Sequence, residues 1–483
     1  MMDVVRVEKL NEVYNRIHCE PWLAKEIDSF FTFKVPGYQF MPQYRSGMWN
    51  GDVHIFNVRG QVLYGGLNGY LEKFCEEREY QIEYLTDFSA DEFSLKEAQD
   101  FISSLALPFQ PRDYQVDAFV YAVRNRRAVL LSPTASGKSF IIYLISRWFS
   151  ARTLLIVPTT SLVHQMYTDF QSYGYDSEKH CHRIYSGEEK DVDKPITITT
   201  WQSIYKMPKS WFDRFDVVIG DEAHLFKAKS LTSIMEKLVD CQYRFGFTGT
   251  LDGAQTHKLV LEGLFGPVKK VTTTKELIDQ KHLSAFKIKC IVLRHPDPVC
   301  KDILKKKYQD EMDYIVSCEQ RNKFIRNLIL SLKGNTLLLF QYIEKHGRIL
   351  YNDMQKEIQE GRPVYFVHGG VEGEDRENIR RLVEIDQNAV IIASYGTFST
   401  GINIRNLHNI IFASPSKSRI RNLQSIGRGL RLGENKEECT LFDIADDMSM
   451  NSKKNHTLMH FIERMKIYNE EKFENKIYTV KLK

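Results

Sequence analysis

Between residues 96 and about 285, short β-branched and aliphatic runs alternate with longer stretches whose apolar positions recur every three or four residues. The runs are Ala128–Leu131, Thr153–Val157, Ile196–Thr199 and Val217–Ile219. The same texture returns from 286 to 450 in Thr336–Phe340, Pro363–Val367, Ala389–Ala393 and Asn409–Ala413. Unbroken apolar runs predict strands covered on both faces, and helices between them make such sheets parallel. The prediction is an α/β chain with two tandem lobes, each a parallel sheet flanked by helices.

The two ends read differently. Residues 1–95 are rich in aromatics, among them Trp22, Phe31, Tyr44 and Trp49, with Gly and Pro punctuation. That composition predicts short strands and turns, then a helix near Leu67–Arg78, as a small α+β domain. Residues 451–483 predict an amphipathic helix (Leu458, Phe461, Ile462, Met465, Ile467, Tyr468) and a short tail. The expected organisation is therefore 1–95, 96–285, 286–450 and a helical region over 451–483.

Composition narrows the class. The chain has 483 residues, 43% of them hydrophobic and 27% charged, enough for real cores under a charged surface. No run reaches the roughly 18 apolar residues that a membrane helix needs, and Met-Met-Asp-Val-Val-Arg lacks the regions of a signal peptide. Eight scattered cysteines without a Cys-x-x-Cys pair fit a reducing compartment and argue against a zinc ribbon. His180, Cys181 and His182 read as a solvated loop, because no second cluster has ligand spacing. Net charge is only +4, and residues 451–483 hold eight Lys/Arg against four Glu, a local excess suited to phosphates or to a solvated face.

Three motifs carry chemistry. Ala128-Val-Leu-Leu-Ser-Pro-Thr-Ala-Ser-Gly-Lys-Ser139 is a strand, a tight loop and a helix start, the layout of a phosphate-binding P-loop, with Ser132 where the general pattern has glycine. Backbone N–H groups of Thr134, Ala135, Ser136 and Gly137 face the phosphates, Lys138 neutralises them and Ser139 holds Mg²⁺. Val217-Val-Ile-Gly-Asp-Glu-Ala-His224 brings two carboxylates to a strand end. Asp221 suits a magnesium partner and Glu222 the orientation of the attacking water. Gln424-Ser-Ile-Gly-Arg-Gly-Leu-Arg431 places Arg428 and Arg431 three apart on one helix face, as arginine fingers or as plain surface arginines.

These motifs resemble motifs I, II and VI of the superfamily 2 helicases, with a DEAH-type motif II, and that family's motif I accommodates Ser132. The resemblance implies two RecA-like lobes that use ATP and Mg²⁺. Further segments come in the family's order. Arg112-Asp-Tyr-Gln115 resembles the adenine-selecting segment. Pro158-Thr159 and Thr200-Trp201-Gln202 resemble motifs Ia and Ic, which touch the nucleic-acid backbone. Phe247-Thr-Gly-Thr250 stands at motif III, which implies that Thr248 and Thr250, with His224 and Gln424, couple hydrolysis to movement. Leu338-Leu-Phe-Gln341 resembles motif IV. Ser399-Thr-Gly-Ile-Asn403 resembles motif V, implying nucleic-acid contacts for Ser399 and Thr400 and a nucleotide contact for Gly401.

Nearly the whole chain is similar to the UvsW-type helicases of T4-like bacteriophages, through Pro36-Gly-Tyr…Phe40-Met-Pro…Tyr44-Arg-Ser-Gly-Met-Trp-Asn-Gly-Asp52, Trp211-Phe212 and Ala393-Ser-Tyr-Gly-Thr-Phe-Ser-Thr-Gly401. That resemblance implies a DNA helicase of recombination, repair and replication control in the host-cell cytoplasm. It would act on forks, Holliday junctions and R-loops, with branched DNA and RNA–DNA hybrids as partners. Phage recombination or single-strand-binding proteins are further expected partners. Residues 1–95 then correspond to a substrate-recognition domain, with Arg45 and Trp49 as the preferred exposed contacts. The core motifs alone are equally those of an RNA helicase on duplex RNA, and a scaffold using ATP as a switch would share the P-loop.

Overall fold

The computed structural model describes residues 4–482 except 186–187, 192, 252–253, 359–360, 372, 398–403, 405, 417, 431, 433–435 and 437. The chain divides into two compact units, the first running to Thr272 and the second from Thr273, with the tetrapeptide Pro133–Ser136 grouped with the second.

The first unit opens with six short strands: β1 (Val4–Lys9), β2 (Tyr14–His18), β3 (Thr32–Lys34), β4 (Asp52–His54), β5 (Val62–Tyr64) and β6 (Gln81–Tyr84). Four of them form a sheet ordered β5-β2-β1-β6, in which only β1 and β6 are parallel; β3 and β4 make a separate antiparallel ribbon. Alternation sets which face is buried, with Val5 and Val7 inward and Arg6 outward. A helix that the aromatic-rich sequence does not predict, Pro21–Phe30, covers this sheet. Its Pro sits in the first turn, where the missing N–H costs nothing, and it buries Leu23, Ala24 and Ile27. The small core is fastened to the rest of the first unit. Tyr64 and Tyr70 donate to Glu236 (2.7 Å) and Glu262 (2.6 Å), and Leu259 belongs to the same apolar cluster.

A seven-stranded, wholly parallel sheet completes this unit. Its strands are β7 (Arg127–Leu131), β8 (Thr153–Val157), β9 (Cys181–Ile184), β10 (Ile196–Thr200), β11 (Val217–Asp221), β12 (Tyr243–Thr248) and β13 (Val268–Lys270), ordered β13-β7-β12-β11-β8-β10-β9. Val217, Val218 and Ile219 are fully buried, each contributing roughly 1.5–3 kcal/mol of transfer free energy. The expected loop over His180–His182 is instead the end of a short helix and the start of edge strand β9, with Cys181 buried. An edge strand pairs on one side only, so its polar positions survive and mask it in the sequence.

The second unit is another seven-stranded parallel sheet. Its strands are β14 (Ala285–Arg294), β15 (Thr336–Phe340), β16 (Val364–Val367), β17 (Val390–Ser394), β18 (Asn409–Phe412), β19 (Glu438–Asp447) and β20 (Glu474–Lys481), ordered β16-β17-β15-β18-β19-β14-β20. The helix expected near the end is present over His456–Glu470, but the expected short tail is strand β20, paired in parallel with β14. Among the described residues no helix is long and apolar enough to cross a membrane.

Candidate active site

In the first unit the expected residues lie just past the C-terminal ends of parallel strands, the edge where open α/β sheets bind ligands. After β7 the chain turns sharply. Ser132 is fully buried, and its backbone N–H donates to the Thr248 carbonyl (2.8 Å), tying the start of the loop to β12. Ser136 closes the turn by donating from N (3.2 Å) and Oγ (2.7 Å) to the Pro133 carbonyl. Ala135 and Gly137 both take left-handed conformations, at φ 67° and 83°, and the helix Lys138–Trp148 starts at once. A Cβ on Gly137 would collide with the Gln115 amide, so glycine is required there twice over. Gln115 itself is buried, and its Oε1 accepts the Arg112 N–H (3.0 Å). Arg112 donates to the Tyr114 hydroxyl (2.7 Å).

β11 carries Asp221 to the same edge, and Glu222 comes next at φ 51°. A left-handed non-glycine residue costs about 1–2 kcal/mol and turns its side chain off the strand line. Lys138 Nζ lies 3.2 Å from Glu222 Oε1 and 3.7 Å from Asp221 Oδ1. Burial alone would raise the Glu222 carboxyl, but the Lys138 ammonium and then His224 hold it down to about 2. Burial pushes Asp221 up, and Lys138 only partly offsets it.

His224 Nδ1 meets Thr248 Oγ1 at 2.9 Å and Glu222 Oε2 at 3.3 Å. Thr248 commits its hydroxyl proton to the Thr250 carbonyl (2.9 Å), which assigns the imidazole proton to Nδ1. His224, Thr248 and Thr250 thus form one chain of hydrogen bonds leading from Glu222 to the loop after β12.

The donor set also suits a divalent cation. Asp221 Oδ1 is buried and has no hydrogen-bond donor, the condition a hard cation relieves. Ser139 Oγ, the other expected ligand, lies 2.8 Å from the Tyr173 hydroxyl. Sequence reasoning missed Tyr173, whose only signal there is an aromatic before a helix-ending glycine.

Pro158 and Thr159 come after β8, and Thr159 Oγ1 caps the next helix by accepting the Leu162 N–H (3.3 Å). Thr200 ends β10 with its hydroxyl 3.0 Å from Ser203 Oγ, and Trp201 and Gln202 open a short helix. In the N-terminal part, Arg45 is exposed. Trp49, expected to be exposed, is half-buried and its indole N–H donates to the Asp52 carbonyl (2.7 Å). In the second unit Gln424 lies on the helix Arg419–Gly429, which also carries the Arg428 backbone. The Arg428 side chain, Arg431, Ser399, Thr400 and Gly401 lie outside the described residues.

Known proteins share this arrangement. Residues 5–85 match the family described as DNA helicase UvsW, N-terminal; 75–253 match Type III restriction enzyme, res subunit; 320–433 match Helicase conserved C-terminal domain. The ATP-dependent DNA helicase uvsW of Enterobacteria phage T4 is 35% identical over 494 aligned residues, covering 97% of both chains. The chain belongs to the UvsW helicase family.

The crystal structure of T4 UvsW superposes with a TM-score of 0.53 at 34% identity and covers 100% of both chains. More distantly, the DNA 3'-5' translocase XPB2 of Sulfurisphaera tokodaii is 24% identical over 69% of this chain and 82% of its own. The Type ISP restriction-modification enzyme LlaBIII bound to DNA shares the fold, with a TM-score of 0.57 at 16% identity over 86% of this chain and 34% of its own. This UvsW-family chain is accordingly an ATP-dependent DNA helicase built on two tandem RecA-like sheets.

Proposed function

We propose that this UvsW-family helicase uses ATP to remodel branched DNA, namely forks, Holliday junctions and R-loops, in phage recombination, repair and replication control. It does so in the host-cell cytoplasm, alongside phage recombination or single-strand-binding proteins. The observation that carries this reading is the UvsW-type N-terminal region, residues 5–85, fastened by Tyr64 and Tyr70 to the rest of the first unit, which carries Lys138 and Asp221. A recognition element fixed to a motor lobe selects shape rather than sequence, because backbone contacts carry no base code.

Within the ATP site, N–H groups of the 134–137 loop and Lys138 bind the phosphates, and Gln115 with Arg112 reads the adenine. Ser139 and Asp221 hold Mg²⁺, which supplies charge neutralisation across the phosphates. Glu222, held ionised by Lys138 and His224, accepts a proton from the attacking water, while Arg428 and Arg431 balance the charge developing on the γ-phosphate. His224, Thr248 and Thr250, with Gln424, pass the change at the γ-phosphate onward. Pro158, Thr159, Thr200, Trp201, Gln202, Ser399 and Thr400 contact the nucleic-acid backbone, and Gly401 contacts the nucleotide.

A matched panel of fork, Holliday junction, R-loop, blunt duplex and structured RNA, scored for ATP-dependent unwinding, tests the substrate. Branched DNA and R-loops are expected to lead, and equal rates on all would overturn the reading. Wild-type ATP hydrolysis by Lys138→Ala would overturn the site.

A further inference from the structure

The β3–β4 ribbon ends in a knob, residues 35–51, that builds its own scaffold. Lys34 and Asp52 pair in register at its base and form an ion pair at 2.8 Å. The Tyr38 ring fills the space a Cβ on Gly51 would need, with Gly51 left-handed at φ 90°, and Tyr38 meets Tyr44 edge to face at 4.8 Å. Met48 and Trp49 both donate from N to the Gln43 carbonyl, at 3.0 and 3.2 Å, and the Trp49 indole closes onto Asp52. These rings are occupied in holding the knob.

Two large apolar side chains are left over. Phe40 is 75% exposed and Met48 77%, far above the other exposed apolar side chains of the first unit. An ordered tip that presents a ring and a thioether to water has something to cover them. The charge pattern indicates what. Residues 35–51 contain no acidic group, and their single charge is Arg45, exposed beside both side chains in sequence. An apolar tip with a cation and no carboxylate complements nucleobases flanked by phosphates.

We infer that Phe40 and Met48 form a wedge that covers the exposed faces of bases where duplex meets single strand, with Arg45 on the adjoining phosphate. This assignment rests on the branched-DNA reading and deepens it: the knob would read the junction itself. Because the ribbon packs through Phe33 and Val53 on the small core that is fastened to the rest of the first unit, strand movement would drive the junction against a fixed tip.

The test uses the full chain and a fork carrying 2-aminopurine in its last base pair, whose fluorescence rises on unstacking. The wild type is expected to raise that signal on binding. The Phe40→Ala/Met48→Ala double variant should lose the rise, and its ratio of fork unwinding to single-strand-stimulated ATP hydrolysis should fall about tenfold. Phe40→Trp in the Met48→Ala background should restore both. Since neither side chain supports the scaffold, melting should move by no more than about 2 °C. A double variant that keeps the fluorescence rise and the ratio overturns the wedge alone. If it also loses retention on an immobilised single-strand-binding protein, the knob is a protein-docking site instead. A wild type that treats fork and blunt duplex alike overturns both the wedge and the reading beneath it.

Discussion

Buried aspartates occur in two settings in this molecule, and their surroundings supply donors to every carboxylate oxygen in one setting but not in the other. In the second unit, every carboxylate oxygen of Asp443 and Asp446 has a donor. Arg464 grips Asp443 through Nε (2.8 Å) and Nη2 (2.7 Å), with the Tyr468 hydroxyl at 2.8 Å. Arg321 and His295 meet Asp446 at 2.8 and 2.9 Å. At the edge of the first unit, Asp221 is just as hidden, yet its Oδ1 has no donor and its neighbour Glu222 is held in a strained conformation. Burial would raise Asp446, but Arg321 and then His295 hold it down to about 2, whereas burial wins at Asp221. Buried charge by itself therefore does not mark a working site. What sets the candidate site apart is a buried carboxylate oxygen without a donor beside backbone strain at Glu222.

The comparison breaks most visibly at the level of stability. Asp446→Ala strands Arg321 and His295 in the core and should cost about 3–5 kcal/mol in chemical denaturation, while Asp221→Asn should cost nothing measurable or stabilise slightly. Equal losses would erase the distinction. Next in size, Glu222→Gln should slow ATP hydrolysis by about 10²–10³-fold with the melting temperature unchanged or raised, as seen in paired turnover and melting assays.

Acid should act through the aspartates of the second unit. The Asp446 carboxyl titrates at about 2 when folded against about 3.9 unfolded, so its contribution is complete above about pH 5 and is lost as pH falls through 2. That contribution is about 2–3 kcal/mol, and the loss of unfolding free energy between pH 5 and pH 2 should shrink by about that amount in Asp446→Asn. The smallest effect concerns Tyr173, whose phenol burial pushes up to about 12 and keeps neutral. Tyr173→Phe frees the Ser139 hydroxyl and should lower the Mg²⁺ needed for half-maximal nucleotide binding about threefold to fivefold, by fluorescent-ATP titration. A rise instead would mean that Tyr173 orients Ser139 toward the metal.

Central strands with unbroken apolar runs were legible in the sequence, whereas the interior strands β12, β14 and β19, interrupted by Arg244, by Lys287 and Lys289, and by Asp443 and Asp446, were not. Thr153–Val157 and Thr336–Phe340 match the observed strands residue for residue. Of the edges, β16 was legible as the run Pro363–Val367, but β9 and β20 were not. β9 and β20 face water along one side, so Cys181-His-Arg-Ile184 resembled a loop and Glu474–Lys481 a tail. The helix Pro21–Phe30 was hidden for another reason: its aromatic ends suggest strand, and only the spacing of Leu23, Ala24 and Ile27 says otherwise. At the site, sequence reading brought together Lys138, Asp221, Glu222, His224 and Thr248, since short motifs fix backbone shape locally. It missed Tyr173, which reaches Ser139 through tertiary packing, and it chose Trp49 where the knob exposes Phe40 and Met48.

The pairing of β20 with β14 has a consequence for how the second unit comes into being. Lys287 bonds alongside Glu474, so β14 leaves the ribosome long before the strand that covers one of its edges is synthesised. β19, its other neighbour, is also made late. During translation β14 offers two bare edges, a template for wrong partners. The charges that line it, Lys287 and Lys289, are well placed to discourage such encounters until the last strand of the sheet is laid down.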